Sequence, residues 1–400
     1  MKIRLNKVVF NNQSFKDDFT ITLCSKYAKD IDLTLENAVL YPPLINSHDH
    51  LIGNWYPKAT CNNPYDTVDK WVDEMRFTPT FLERNKIWKG NGKFNLVDER
   101  ARLITLLGSY KNLFSGVHVV QDHISYQKHE YYTKFPIEIL EKYKQCHSMS
   151  MGNWWGGKTP TEEYQDTKGE IPFVIHLAEG TNKQAYCCFS EFKKAGLVQS
   201  NVLLVHGIAL SEADIIDCAK AGTSICWCPN SNMFLIGKTL NIEACLKHGI
   251  NVVIGTDSTM SGSINLLEEM KFAASLFPEI PANLIFKMVT ENAAKALMLP
   301  AGKGVLSEET EDLLIMKQKN DDPYQNLLDC GIHDIRFMMS GGIPLLGEKN
   351  LLDLFKVNEE DYSFYHDEGT QKFVLGHPDL LNQQVNDILG YEKKFPYFPF

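Results

Sequence analysis

The sequence is organised around one stretch, Leu44-Ile45-Asn46-Ser47-His48-Asp49-His50. An apolar run at 38–41 and two prolines lead into it. Alternate side chains of an extended segment point the same way, so His48 and His50 can aim at one point while Asp49 turns away. Two neutral imidazoles at a strand end form half of a metal site, whereas a lone pair of histidines is more often a core or surface feature. The interpretation therefore depends on ligands from elsewhere in the chain.

The bulk composition indicates a soluble globular protein. The chain has 400 residues, of which 44% are apolar and 22% charged, and its formal net charge is -10. Such a chain lacks the clustered Lys and Arg that nucleic acid or an anionic membrane requires. No stretch approaches the ~20 apolar residues that span a bilayer, and residues 1–7 do not resemble a signal peptide. Ten scattered cysteines favour reduced thiols over disulfides. We therefore predict a cytoplasmic protein with a small-molecule substrate and with no nucleic-acid or membrane partner.

The order of apolar runs and helical patterns predicts an α/β fold, a (β/α)8 TIM-like barrel. From residue 97 onward, helical spacing alternates with short apolar runs such as 171–176, 202–206 and 251–257. About eight such units fit between residues 39 and 299, which matches the ~250 residues of a barrel. A doubly wound parallel sheet is the competing fold, but the sequence lacks the glycine-rich phosphate turn that it requires after the first strand.

Both ends of the chain are β-prone and predict a small β-sandwich domain beside the barrel. We assign residues 1–40 and 300–345 to the two parts of this domain and residues 41–299 to the barrel. Residues 346–400 are a C-terminal extension of unknown role, which ends in the aromatic run 395–400. This tail could pack on the barrel or on a second subunit, so a homo-oligomer stays open.

Three further strand ends offer the missing ligands. His176, His206 and Asp257 each follow an apolar run, and such barrels carry their chemistry at the C-terminal ends of the strands. Imidazole and carboxylate ligands suit Zn2+ or Fe2+. Each residue alone has an ordinary structural explanation, and it is their joint occurrence at the same end of successive strands that indicates a site.

A carboxylate that is not a ligand also stands next to this predicted site. Glu179 follows His176 by three residues. The arrangement predicts metal-assisted hydrolysis, in which the metal lowers the pKa of bound water to about 7. Asp257 would orient that water and take its proton, and Glu179 would move protons to the leaving group.

The sequence resembles the amidohydrolase superfamily, and within it the branch of cytosine deaminase, guanine deaminase and the triazine hydrolases. The stretches that carry this resemblance are 44–50, His176-Leu177-Ala178-Glu179-Gly180, Val205-His206-Gly207, Cys228-Pro229-Asn230-Ser231-Asn232, Gly255-Thr256-Asp257-Ser258 and Thr290-Glu291-Asn292-Ala293-Ala294-Lys295-Ala296-Leu297. They span nearly the whole chain. The resemblance implies a metal-dependent hydrolase built on a distorted (β/α)8 barrel.

The resemblance also implies roles for the site residues. One divalent metal would be held by His48, His50, His176 and Asp257. Zn2+ is the expected ion, with Fe2+ or Mn2+ as alternatives. His206 would lie close to the metal-bound water or to the oxyanion of the substrate, and Glu179 would be the proton shuttle. The fourth strand lacks the lysine that carries the bridge in binuclear members, so we expect a single metal.

Aromatic residues predict the walls of a substrate pocket. We assign substrate contacts to Trp55, Trp154, Trp155, Trp227 and His123. Flat rings stack well on indoles, although the same tryptophans could pack the barrel against its loops and His123 could be a polar residue behind the site. No motif places Arg or Lys to hold an anionic group, which favours a small, neutral, cyclic substrate.

Together these observations predict a hydrolase of non-peptide carbon–nitrogen bonds that deaminates a small cyclic amidine. Hydrolysis of a cyclic or acyclic amide, as in imidazolone- or hydantoin-opening relatives, is the alternative. A catalytically silent scaffold or binding member is the third interpretation, which the filled ligand positions oppose.

Overall fold

The structure, a computed structural model, describes residues 1–87, 99–152 and 157–400. It is a mixed α/β fold with parallel sheets. Its strands are β1 (Lys2–Asn11), β2 (Ser14–Leu23), β3 (Asp32–Tyr41), β4 (Leu44–Asp49), β5 (Val117–Asp122), β6 (Glu138–Ile139), β7 (Lys144–Ser148), β8 (Phe173–Leu177), β9 (Val202–His206), β10 (Ser224–Trp227), β11 (Asn251–Ile254), β12 (Glu309–Thr310), β13 (Leu313–Lys317), β14 (Ile335–Ser340), β15 (Ile343–Glu348), β16 (Tyr362–Asp367) and β17 (Thr370–Leu375).

The α-helices lie mostly between these strands. They are α1 (Val68–Met75), α2 (Pro79–Ile87), α3 (Glu99–Leu113), α4 (His129–Tyr132), α5 (Pro160–Gln165), α6 (Lys183–Lys194), α7 (Glu212–Ala221), α8 (Pro229–Ile236), α9 (Ile242–Lys247), α10 (Leu266–Leu276), α11 (Ala282–Met288), α12 (Glu291–Ala296), α13 (Pro323–Asp329), α14 (Lys349–Leu352) and α15 (Pro378–Leu389). Short 3-10 helices cover Leu51–Trp55, Ile332–Asp334 and Glu359–Asp361. No helix among the described residues is both long and apolar enough to cross a membrane.

A nine-stranded sheet joins the two ends of the chain. Its strand order is β12-β2-β1-β3-β13-β14-β15-β17-β16. β3 pairs in parallel with β1 and antiparallel with β13, where Leu40 lies opposite Ile315. An apolar cluster that includes Val8, Leu40, Ile315 and Phe337 packs against this sheet. Strands from both ends therefore share one sheet, which continues through β16 and β17 past residue 345.

Eight parallel strands of the described chain form two further sheets. Their orders are β4-β5-β6 and β7-β8-β9-β10-β11. Every residue of β4, β5, β8 and β9 is buried, as expected of parallel strands covered on both faces. Within the described ranges no strand ladder joins β4 to β11. At that seam the backbone N–H of Asp257 donates to the carbonyl of His48 at 3.2 Å.

Short capped turns carry the chain from β8 to α6 and from β9 to α7. Asn182 accepts a hydrogen bond from the N–H of Ala185 at the start of α6, and Ser211 forms a capping box with Asp214 at the start of α7. Such caps satisfy N–H groups that the first turn of a helix leaves free. Residues at the ends of β8 and β9 are thereby held between two rigid elements.

The aromatic tail packs against the chain's own body. The ring of Phe395 lies 5.6 Å from that of Trp55, and the hydroxyl of Tyr397 donates to the carbonyl of Asn54 at 3.2 Å. Trp55 and Asn54 belong to the 3-10 helix that follows β4. The tail therefore supports the segment directly after the two histidines of the first parallel strand.

Candidate metal centre

Five side chains predicted from separate parts of the sequence meet at one point. The metal-binding atoms of His48, His176 and His206 all lie within 4.8 Å of one another, and so do those of His48, His50 and Asp257. Nε2 of His48 is 3.2 Å from Nε2 of His176, and Nε2 of His50 is 3.5 Å from Oδ1 of Asp257. Apart from His50, all of them are buried.

The histidines are held so that the same ring nitrogen faces the centre. Nδ1 of His50 lies 2.9 Å from the carbonyl of His123, and Nδ1 of His176 lies 2.7 Å from the carbonyl of His147. A carbonyl only accepts, so each Nδ1 carries the proton and each Nε2 keeps its lone pair. Outer hydrogen bonds of this kind fix the tautomer and the ring orientation of metal-binding histidines.

The other two histidines are oriented by side-chain amides. Nδ1 of His206 lies 2.8 Å from Oδ1 of Asn232, and Nδ1 of His48 lies 3.3 Å from Oε1 of Gln121. Burial lowers the pKa of His48, of His176 and of His206, which keeps these rings neutral. Neutral imidazoles are the form that binds a metal ion.

The carboxylate of Asp257 is held by three donors. Oδ2 accepts from the hydroxyls of Ser231 at 2.7 Å and Ser261 at 2.8 Å, and Oδ1 accepts from the N–H of Ser258 at 2.9 Å. Burial by itself would raise the pKa of Asp257, but His50, His206, His48 and the Ser231 hydroxyl lower it. An ionised carboxylate next to neutral imidazoles is a donor set that suits a divalent ion such as zinc.

The backbone at two of these positions is strained. His206 and Asp257 have φ angles of 73° and 52°, in the left-handed region that side chains other than glycine rarely adopt. Such strain persists where the surrounding structure overdetermines it, and it clusters at functional sites. Here it turns two strand-end side chains toward the common centre.

Glu179 lies at the edge of this centre and faces a cavity. Its Oε1 is 3.4 Å from Nε2 of His206. Burial raises the pKa of Glu179 well above its usual value, and the charges of Asp257 and Asp69 raise it further. The protonated form of Glu179 is therefore favoured more than in an exposed glutamate. The cavity is lined by residues that include Thr67, Asp69, His147, His176, Glu179 and Glu191.

The tryptophans predicted to contact substrate are not seen at the surface of the cavity in the described residues. Trp55 is buried against Phe395, and Lys393 lies 4.4 Å from its ring. Trp227 is buried, and its Nε1 donates to Oγ1 of Thr239 at 2.7 Å. Both indoles fill the packed interior, so their positions lend no support to substrate contact, which stays a prediction. Trp154 and Trp155 lie outside the described residues.

His123 is near the centre but supports it through its backbone. Its ring lies 4.5 Å from the ring of His176 and is buried, and its carbonyl accepts from His50. This position agrees with the alternative of a polar residue behind the site. A role in substrate contact stays a prediction.

Sequence reasoning missed several residues that position the ligands. Asn232 and Ser231 belong to a quoted motif, but no role was assigned to them. His147 ends a strand in the way that the predicted ligands do, and that pattern could have revealed it. Gln121 carried no comparable signal in the sequence.

Comparison with known proteins gives a consistent picture. Residues 159–341 match the amidohydrolase family. A 5-methylthioadenosine/S-adenosylhomocysteine deaminase of Thermococcus sibiricus is 35% identical over 154 residues, which are 36% of this chain and 35% of that protein. The chain thus matches only about a third of that relative's length.

Solved structures extend the likeness to most of the fold. The zinc complex of atrazine chlorohydrolase from Arthrobacter aurescens superimposes with a TM-score of 0.65 at 20% identity, over 86% of this chain and 94% of the other. A zinc-bound adenosine deaminase from Xanthomonas campestris gives a TM-score of 0.67 at 16% identity, over 86% and 92%. At these identities the likeness establishes the fold alone.

Proposed function

Because residues 159–341 form an amidohydrolase family domain, we propose that this chain is a metal-dependent hydrolase of carbon–nitrogen bonds other than peptide bonds. Its proposed reaction is the hydrolytic deamination of a small cyclic amidine-type substrate. The observation that carries the proposal is the convergence of His48, His50, His176 and Asp257 with each ring nitrogen in its metal-binding tautomer. A packed core has no need of such an arrangement.

One divalent ion, Zn2+ or alternatively Fe2+ or Mn2+, would be held by His48, His50, His176 and Asp257. When bound, such an ion makes water acidic enough to attack at neutral pH and polarises the substrate. The chain's own groups do the rest. Asp257 orients the attacking water and takes up a proton at its carboxylate.

Glu179 and His206 would act on the other side of the reacting centre. Glu179, whose pKa burial raises, delivers a proton to the departing nitrogen. Because Asn232 accepts the Nδ1 proton of His206, Nε2 of His206 is an acceptor that can orient water or the hydroxyl of the tetrahedral centre.

Two features favour deamination of an uncharged or basic ring. A leaving amine needs a proton, and Glu179 can supply one. The described lining of the cavity contains the carboxylates Asp69, Glu179 and Glu191 and neither Lys nor Arg, which disfavours an anionic substrate. Deaminases and triazine hydrolases are also the activities named for the similar proteins.

The proposal also covers the closure of the barrel, the domain boundaries and the cellular compartment. We infer that the eight parallel strands of residues 41–299 close into a (β/α)8 barrel across the seam between β4 and β11. The boundaries at residues 40 and 299 and a β-sandwich of both chain ends go with this inference, whereas the predicted boundary at 345 falls within β15 and the sheet continues through β17. Ten free cysteines are in keeping with a reducing cytoplasm.

The test combines metal analysis with a substrate screen. The purified protein should contain zinc, iron or manganese. When challenged with cyclic amidines and amides, it should release ammonia without ring opening. Glu179→Gln should lower kcat by ~10²–10⁴-fold, because it removes the proton donor. Glu170→Gln is the control, since Glu170 is exposed before β8, at the strand end opposite His176.

Two results would contradict the proposal. One is wild-type protein that binds no divalent metal even after supplementation. The other is an Asp257→Asn variant that retains full activity on a substrate found in the screen.

A further inference from the structure

A lysine is completely buried beneath the metal centre. Lys111, in the last turn of α3, has a side chain that is 0% exposed. Its Nζ lies 3.2 Å from Oδ2 of Asp49, 2.9 Å from Oδ1 of Asn54, 3.0 Å from Oγ1 of Thr256 and 3.1 Å from the carbonyl of Asp257. An ammonium group has three N–H bonds, so all of them are used and one is shared.

Asp49 is the partner that stands between two ligands. It separates His48 from His50 and points away from them. Its Oδ2 accepts from Lys111 and, at 2.8 Å, from Nδ2 of Asn112, while Oδ1 accepts from Nδ2 of Asn54 at 3.0 Å. Its side chain is also 0% exposed. We call Lys111 with Asp49 the site pair.

The site pair spans the seam between β4 and β11. On the β4 side, Asp49 of the pair is itself the residue between His48 and His50. On the β11 side, Lys111 contacts the hydroxyl of Thr256 and the backbone of Asp257 itself. No strand ladder crosses this seam in the described chain, so its two sides are joined by the backbone hydrogen bond from Asp257 to His48 and by side-chain hydrogen bonds.

The burial of this pair calls for an explanation beyond stability. Taking two charges out of water is costly, and an apolar pair of similar size often stabilises a core at least as well. A buried ion pair is therefore poor evidence for a stabilising role. Its geometry, in contrast, fixes two otherwise separate halves of a ligand set.

We propose that Lys111 and Asp49 are positioning residues that set the spacing between the His48–His50 half and the Asp257 half of the metal centre. The inference rests on the proposed function, since it presupposes that these residues bind a metal. Neither side chain belongs to the proposed ligand set or to the described lining of the cavity. They act through the strand ends that carry the ligands.

The decisive variant is the double substitution Asp49→Asn/Lys111→Met in the full-length chain. It has the same net charge as the wild type, so a change in metal binding reports position and not charge. Metal-free protein is titrated with Co2+, which gives both a dissociation constant and a visible d–d spectrum that is sensitive to ligand geometry. We expect affinity to fall by ~10–100-fold, the range for lost outer-shell partners, with a changed spectrum.

A matched control is available in the nine-stranded sheet. Lys372 and Asp367 form a salt bridge at 2.8 Å, and each side chain is 4% exposed. We call them the sheet pair. Asp367→Asn/Lys372→Met removes the same two charges far along the chain from the ligands. It should leave Co2+ affinity and spectrum unchanged, even where it lowers stability.

The outcomes separate the inference from its premise. If the site double variant binds Co2+ with wild-type affinity and spectrum, the positioning role is overturned while the metal centre stands. If the wild type binds no Co2+, both fall. If the double variant does not fold, Co2+ affinity and spectrum are measured on the isosteric Asp49→Asn variant instead. Wild-type affinity and spectrum in that variant overturn the inference.

Discussion

The site pair and the sheet pair are both buried Lys–Asp ion pairs, but their structural surroundings differ. Lys111 and Asp49 are 62 residues apart in sequence and connect a helix to a seam between two sheets. Asp367 and Lys372 lie on the two strands of the hairpin formed by β16 and β17, where Asp367 is opposite Thr370 and Lys372 is opposite Tyr365. Asp367 also accepts from Nδ1 of His333 at 2.6 Å, and that histidine is 44% exposed. The sheet pair therefore has a solvent-exposed partner, whereas the partners Asn54, Asn112 and Thr256 of the site pair are all buried.

This difference indicates what each pair contributes. A hairpin with a complete ladder keeps its register without a salt bridge, so the sheet pair adds to an arrangement that already exists. At the seam no ladder does this in the described chain, and the site pair adds its contacts to the backbone hydrogen bond from Asp257 to His48 and to the hydrogen bonds between Asn46 and Thr256. The same two residue types are thus auxiliary in one region and architectural in the other.

The largest expected effect comes from breaking one pair at a time. Lys111→Met leaves Asp49 buried without its cation and should lower the free energy of unfolding by ~3–5 kcal/mol. Lys372→Met should lower it less, because Asp367 keeps the hydrogen bond from His333, whose side chain is 44% exposed. Urea denaturation of both variants at pH 7 measures the two values. Equal losses would remove the distinction between the regions.

An effect of intermediate size is expected in the pH dependence of stability. The contributions of Glu269 and Asp367 to stability should change in opposite directions with pH. Burial raises the pKa of Glu269, near the site, to about 7, against the lowering effect of the Ser263 hydroxyl, the N–H groups of Asn230 and Ser263, and Lys111. Stability from the protonated carboxyl is present below its unfolded pKa of 4.5 and is lost as pH rises through about 7. Relative to Glu269→Gln, the wild type should therefore lose up to ~3 kcal/mol between pH 5 and pH 8.

Asp367 should behave in the reverse sense. Burial tends to raise its pKa, but Lys372 and His333 together lower it. Its contribution is therefore present above its unfolded pKa of 3.8 and is lost as pH falls below that value. Asp367→Asn should destabilise the protein at pH 7 and much less at pH 3. Urea titrations over this range check both signs, and a common direction for Glu269 and Asp367 would contradict the comparison.

The smallest effect concerns two buried tyrosine hydroxyls. Tyr397 donates to the carbonyl of Asn54 beside the site, and Tyr362 donates to the carbonyl of Pro344 in the sheet, both at 3.2 Å. Tyr397→Phe and Tyr362→Phe should each cost ~1 kcal/mol in the free energy of unfolding. Only Tyr397→Phe should also weaken Co2+ binding, since Asn54 contacts Lys111 and Asp49. An equal change of affinity in both variants would show that the tail acts only through global stability.

The sequence was informative where a residue's role follows from its place on a strand. The alternation of helices and apolar runs predicted parallel strands, and histidines at their C-terminal ends predicted that His48, His176 and His206 would meet. Local periodicity contains this information. It does not contain the partner of Asp49, because Lys111 in a helical pattern looks like an ordinary basic residue of a last turn.

Aromatic residues were the weaker guide for a similar reason. A tryptophan near a predicted strand end can face a pocket or the core with the same local sequence. Trp55 faces the core because its ring packs against Phe395, which is distant in sequence. Trp227 faces the core because its indole N–H reaches Thr239, which lies beyond the next helix. Such contacts depend on the tertiary fold and leave no pattern in a short window.

The contact between Tyr397 and Asn54 has a consequence for the order in which the protein is made. The two residues are 343 positions apart, so the turn that follows the metal-binding histidines leaves the ribosome long before its partner is synthesised. At ~5–20 residues per second the delay is roughly 20 to 70 s. During that interval a nascent chain can assemble its parallel strands but lacks the aromatic segment that supports Asn54. The centre is therefore expected to reach its final geometry only after translation has passed residue 397.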